Sequence, residues 1–221
     1  MASNTTTAVF HKFTDVKFNE LKFPKTKQTT GNRFLSVFYN KKKLGVKLPK
    51  LRIPFDTKIS TFGSIELNLS LGANEDLISK VEEIDRQIVA FAEEHGWNTE
   101  DSEYVPMLKK SSGNAYPPTI RVKVPVKDGV IATTFFDENK QEIEVKNEDE
   151  ICALLPKTTH ILTAIECTGV WFMNGRYGIS WKLSQARVEK PKPIEECLEE
   201  CNFASDSDAE SLSGECLVDD E

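Results

Sequence analysis

The stretch that decides the fold is Ile161-Leu162-Thr163-Ala164-Ile165-Glu166-Cys167-Thr168-Gly169-Val170-Trp171-Phe172-Met173, then Asn174-Gly175, then Arg176-Tyr177-Gly178-Ile179-Ser180-Trp181-Lys182-Leu183-Ser184-Gln185-Ala186-Arg187-Val188. β-Branched and aromatic residues fill both arms, and Asn-Gly is the dipeptide that two-residue hairpin turns favour, because both turn positions need positive φ. On the return arm Ile179, Trp181 and Leu183 share one face while Ser180, Lys182 and Ser184 share the other, the alternation of a half-buried strand. Gly169 and Gly178 supply the sharp bending that a small barrel requires. A long curled hairpin is therefore expected.

Working outward, Arg33 to Asn40 and Val46 to Phe55 read as strands joined by the basic turn Lys41-Lys42-Lys43-Leu44-Gly45. Pro49 and Pro54 restrict the second to an edge or bulged position. Asn74 is placed to cap a helix in which Leu77, Val81, Ile84, Ile88 and Phe91 recur at helical spacing and which Gly96 ends. Residues 98–118 read as a loop. Ile120, Val122, Val124 and Val126 alternate with Arg121, Lys123 and Pro125, and Asp128-Gly129 turns into a further strand from Val130 to Phe136, with a short one at Glu142 to Lys146. The expected class is mainly β (α+β): an OB-like Greek-key barrel with one long amphipathic helix and a disordered acidic C-terminal tail. An α+β sandwich is the alternative. The expected division is a basic, aromatic-containing N-terminal arm (1–32), the barrel domain (33–190) and the tail (191–221).

Charge is distributed in blocks. Residues 1–62 hold 13 Lys and Arg against 3 Asp and Glu, whereas the last 29 residues hold 11 acids and no base. Such separation suggests a polyanion site together with a competitor for it. In the basic block the cations are interleaved with Phe10, Phe13, Phe18, Phe23, Phe34, Phe38, Tyr39, Phe55 and Phe62. Flat π faces beside mobile cations suit unstacked bases and their phosphates, although any single Phe is as well explained by a core position. The candidate nucleic-acid-binding residues are Phe38, Tyr39, Lys41, Lys42, Lys43, Lys47, Lys50 and Arg52 from this block, with Trp171, Arg176, Tyr177, Trp181, Lys182 and Arg187 from the hairpin. Among them Trp181, between Ile179 and Leu183, is better placed as core, whereas Arg176 and Tyr177 beside the turn are expected at the surface.

The run from Gly169 to Ala186, with its aromatic-rich strand, Gly-containing turn and Gly-Ile-Ser-Trp-Lys-Leu return, resembles the terminal hairpin of single-stranded-DNA-binding OB-fold proteins of large eukaryotic DNA viruses. That resemblance implies a non-enzymatic, replication-associated protein that binds single-stranded DNA. The acidic C-terminus separately resembles tails that unrelated single-strand binders use to recruit replication proteins. RNA as a ligand and a homo-oligomeric state are both compatible with the same residues.

Other classes find less support. There is no Gly-Lys-Ser/Thr phosphate loop and no His-Glu-x-x-His, and the nearest catalytic pattern is Asp137 followed by Glu144-Val145-Lys146, an acid then acid-x-lysine spacing seen in metal-dependent nucleases. An adaptor without nucleic-acid affinity, its basic patch balancing its tail, is the reading from a different class. The five cysteines, an odd number, argue against a disulfide framework, and Cys197, Cys201 and Cys216 lack a nearby His for a zinc site. No cofactor or metal is expected. No run approaches the roughly 18 apolar residues of a membrane helix. An intracellular protein, cytoplasmic or nuclear, is expected.

Overall fold

Two arms, His160–Met173 and Arg176–Glu189, meet at Asn174-Gly175, whose φ values of 51° and 74° are both positive as this turn demands. The computed structural model describes residues 8–24, 32–59, 64–97, 100–127 and 129–189. In chain order its strands are β1 (Val9–Lys12), β2 (Arg33–Leu35), β3 (Phe38–Tyr39), β4 (Lys42–Lys47), β5 (Leu51–Arg52), β6 (Lys58–Ile59), β7 (Ile65–Ser70), β8 (Glu103–Val105), β9 (Leu108–Lys109), β10 (Thr119–Val124), β11 (Val126–Lys127), β12 (Val130–Ile131), β13 (Thr134–Phe136), β14 (Glu142–Ile143), β15 (His160–Met173) and β16 (Arg176–Glu189). The α-helices are α1 (Glu75–Glu94) and α2 (Glu148–Leu154). The architecture is mainly β with two α-helices among the described residues.

Five strands pair in a closed circuit. β5 meets β7 and β7 meets β10, both antiparallel; β10 meets β16 in parallel; β16 returns antiparallel to β15, which pairs with β5. Strand alternation turns one face of each strand to the core: Ile65, Leu67 and Leu69 from β7, Ile120, Val122 and Val124 from β10, Ile161, Ile165 and Cys167 from β15, and Trp181 and Leu183 from β16 are all buried. Outside the circuit β4 lies along β15, β1 runs parallel to β4, and β13 runs parallel to β16. The register of the long hairpin slips between Ala164 and Ile165 and between Cys167 and Gly169. Such bulges add local twist, so that the base of the hairpin joins the circuit while its distal part reaches β2 and β8.

The helix α1 obeys its sequence signals at both ends. Asn74 Oδ1 accepts the Leu77 N–H at 3.0 Å, and at the other end the N–H of Trp97 donates to Ala92 at 2.7 Å and that of Gly96 to Glu93 at 3.3 Å. With Gly96 at φ 68° this is a Schellman termination, sealed by Trp97 against Phe91. The predicted stripe Leu77, Val81, Ile84, Ile88 and Phe91 is buried throughout.

Several expectations change. The basic turn is the tighter pair Asn40-Lys41, with φ 50° and 63°, so Lys42 to Gly45 belong to β4. The strands expected over Arg33 to Asn40 and Val46 to Phe55 are each broken, the latter after Lys47, where Pro49 interrupts pairing. The loop expected at 98–118 contains β8 and β9, the strand expected at Val130 to Phe136 divides into β12 and β13, and α2 was not foreseen. Residues 8–24, read from the sequence as part of an arm, contribute β1 and bury Phe13, Val16, Phe18 and Leu21. Phe62, Lys25, Lys27, Asp128, Cys197, Cys201, Cys216 and the acidic stretch 191–221 lie outside the described residues.

Candidate nucleic-acid interface

The two faces of the long hairpin have different chemistry. On the inward face of its distal half, Phe172 and Tyr177 stack at 6.5 Å, Tyr104 approaches Tyr177 at 5.2 Å, and Trp97 meets Phe172 edge-on. The Arg33 guanidinium lies 4.8 Å from the Trp97 ring centroid and 4.2 Å from that of Phe172. Asp85 of α1 ties this layer down, accepting hydrogen bonds from the Tyr104 hydroxyl and from the N–H groups of Met107 and Leu108. Burial, reinforced by Asp85, drives the Tyr104 hydroxyl far above the usual phenol range, so it serves as a donor. Tyr177, expected at the surface, is 1% exposed, and Trp181 is 2% exposed. Neither ring offers a face to a ligand.

The outward face is built in rows that cross several strands, since directly paired residues project to the same side. The distal row runs from Phe34 on β2 to Trp171 on β15 and Gly178 on β16. Two glycines form its floor. A Cβ at Gly169, where φ is 151°, would lie 2.7 Å from Phe34 Cζ and 2.3 Å from the Leu35 carbonyl oxygen. One at Gly178 would lie 3.2 Å from Trp171 Cζ2 and 2.8 Å from the Val105 carbonyl oxygen. Both rings therefore lie close over backbone, with Phe34 55% exposed and Trp171 half-buried. The expected role of these glycines was bending, but Gly178 has no positive φ and what it provides is close approach.

The middle row is charged. It runs from Lys58 through Glu66, Lys123 and Lys182 to Glu166 and Gly45, the last covered by the Phe10 ring. Glu166 pairs with Lys182 at 3.1 Å and Glu66 with Arg121 at 2.7 Å. Lys182 and Arg121 are 36% and 43% exposed, so an arriving phosphate can reach both cations. Lys123 is exposed and no ion pair holds it among the described residues. At the base of the hairpin, Lys47, Ala164 and Gln185 form one further row, and Leu162, Arg187 and Phe136 the next.

Of the predicted residues, Lys47, Trp171, Arg176, Lys182 and Arg187 come together on this face, and strand alternation adds Lys43. Arg176 is held by Glu103 at 2.9 Å. Lys50 forms an ion pair with Glu189, and Arg52 is exposed opposite His160. Lys41 and Lys42 stand apart at the β3–β4 turn. Phe38 is half-buried there, and Tyr39 is buried with its ring edge-to-face on His11. Phe34, Lys123, Ala164, Gln185 and Phe136 were absent from the predicted set. The alternation of Lys123 with Val122 and Val124 was a readable signal; β2, three residues long, is too short to show which face Phe34 takes.

The chain matches no protein-family model and no curated protein. Among solved structures it is similar to the single-stranded DNA-binding protein from bacteriophage Enc34, with 14% identity over 78% of this chain and 92% of that one and a TM-score of 0.48. The same phage protein in complex with ssDNA gives 12% identity over 77% and 96%, with a TM-score of 0.47. The single-stranded DNA binding protein gp2.5 encoded by bacteriophage T7 gives 10% over 73% and 97%, also at 0.47. The two proteins in these three structures come from bacteriophages, not from large eukaryotic DNA viruses.

The nuclease pattern is not assembled. Asp137 Oδ1 accepts the Gln141 N–H within a turn, Glu144 is 81% exposed beside Lys146, and no group of three metal-ligating side chains occurs among the described residues. Cys152 and Cys167 are free thiols. Burial raises both above the ordinary thiol range, with neighbouring acids adding to the effect, which keeps them protonated and poorly nucleophilic. No described helix is long and apolar enough to cross a membrane.

Proposed function

We propose that the chain is a sequence-tolerant single-stranded DNA-binding protein whose closed strand circuit is an OB-type barrel and whose ligand lies along the outward face of the β15–β16 hairpin. The observation that carries this reading is the placement of Phe34 and Trp171 side by side on glycine floors, in line with the Lys182 and Lys123 row. Rings close over glycine backbone and partly exposed are available to unpaired bases, and nearby lysines match the phosphates. A duplex keeps its bases stacked on one another and gains only the cations. DNA replication, recombination or repair is the setting that suits such a protein, in an intracellular compartment.

The acidic stretch 191–221 supplies the second half of the proposal. Its charge opposes that of the outward face, so it acts as a competitor for the cations or as a recruiting element for replication proteins. The deciding measurement is fluorescence anisotropy of a labelled single strand over a salt series, with duplex as competitor, for the full chain and for a chain ending at Lys192. Affinity should fall steeply with salt as counterions are recaptured, and the shortened chain should bind more tightly at low salt. Salt-independent affinity, or equal affinity for duplex, would contradict single-strand binding. Weaker binding by the shortened chain would contradict the competitor role.

A further inference from the structure

At the base of the hairpin the outward face sinks into a pocket of about 200 Å³. Its shape follows from the register. Ala164, with only a methyl side chain, sits between Lys47 and Gln185, while the adjoining row places Leu162, Arg187 and Phe136 around the hollow. The slip of register beside Ala164, which leaves Ser184 without a cross-strand partner, bends the strand there.

The lining is apolar on the floor and polar on the rim. Leu162, Ala164 and Phe136 offer surfaces for a flat ring; the Gln185 amide presents both a donor and an acceptor; Lys47 is exposed at the mouth. The Arg187 Nε–H is buried without a partner, although Nη2 of the same guanidinium lies 4.0 Å from Glu189. The Arg187 side chain is 34% exposed, and a cation so loosely paired is available to a ligand acceptor. Pockets for drug-sized molecules begin near roughly 300 Å³, which makes this one suitable for a single ring system and too small for a whole nucleotide. A larger hollow, about 410 Å³ between Ile78, Tyr116 and Pro117, is less suited, because its cation Lys110 is already paired with Glu82 at 2.9 Å.

We infer that this pocket receives one nucleobase of a bound single strand, turned edge-on between Leu162, Ala164 and Phe136, with Gln185 and Arg187 on its polar edge and the adjoining phosphate at Lys47. The inference rests on the single-strand reading above and adds a second anchoring point to it. Ala164 and Trp171 are seven residues apart on one strand. At about 3.3 Å per residue that is roughly 23 Å, within reach of the roughly 4 to 16 nucleotides that one such domain occupies.

The test replaces Ala164 and leaves every charge in place. Binding of the full-length wild type, Ala164→Leu and Ala164→Trp is measured against oligothymidylate and against an abasic oligomer with the same number of phosphates. Filling the pocket with Trp should weaken oligothymidylate binding about tenfold, toward the low end of what one stacked base contributes, and leave abasic binding unchanged. Leu should cause a smaller loss of the same kind. Unchanged oligothymidylate affinity in both variants, or equal losses on both ligands, overturns the pocket while single-strand binding stands. A wild type without affinity for oligothymidylate overturns both readings. Should neither variant fold, the wild type still decides: the methyl resonances of Leu162 and Ala164 should show ring-current shifts with oligothymidylate and not with the abasic oligomer. Identical shifts with the two ligands overturn the inference.

Discussion

The inward and outward faces of the β15–β16 hairpin contain the same kinds of residue and use them in opposite ways. Inward, Trp181 is buried, Tyr177 meets Tyr104 of β8, and Phe172 meets Trp97. Outward, Trp171 and its cross-strand neighbour Phe34 lie over glycines with nothing stacked on their far sides among the described residues. An aromatic ring is committed to the core or left for a ligand by the strand register alone: Trp171 and Phe172 are adjacent in sequence and fall on different faces. Residue type is therefore a poor guide to function in this hairpin, and parity is a good one.

The largest effect that can break this comparison is on stability. Trp181→Ala should cost about 3 to 5 kcal/mol, as large-to-small changes in a packed core do, seen as a lower urea midpoint at unchanged slope. A loss under about 1 kcal/mol would mean that the inward face is not the core it resembles. Next in size, Phe34→Ala combined with Trp171→Ala should remove roughly 1 to 3 kcal/mol of single-strand affinity per base that stacks. Phe34→Ala alone, because that ring is 55% exposed, should weaken binding with little change in the unfolding midpoint. Stability loss without loss of affinity would assign both rings to structure. Lys123→Gln sharpens the electrostatic side: the slope of log affinity against log salt should shrink by about 1, with no change in preference among sequences. Smallest is Arg176→Ala, which removes an exposed pair with Glu103 and should alter stability by about 0 to 1 kcal/mol.

What the sequence made legible was whatever repeats locally. The Asn174-Gly175 turn, the face shared by Ile179, Trp181 and Leu183, and the capped stripe of α1 follow from neighbouring residues and appear where expected. What it concealed depends on contacts between distant segments. Tyr177 sits beside a turn and so reads as exposed, yet Tyr104, seventy-three positions earlier, covers it. The parallel pairing of β1 with β4 has no local signature, because each strand makes sense alone. α2 occupies seven residues rich in acids, too few for periodicity to show, though Asn147 caps it by accepting the Glu150 N–H at 2.9 Å. Of the candidate interface, the shared face of the hairpin's cations was legible and the glycine floors were not, since a glycine that permits close approach looks like one that permits bending.

The closed circuit of strands also sets an order of events during synthesis. β7 can meet β10 early, but β5 and β10 each complete their circuit pairing only with β15 or β16, the last of the described strands to be made. Until the ribosome has passed Glu189, their free edges and the apolar faces of Leu67, Leu69, Val122 and Val124 have no finished circuit to enter. Closure is then a late, long-range event with high contact order, a regime in which folding is slow and nascent chains depend on chaperones.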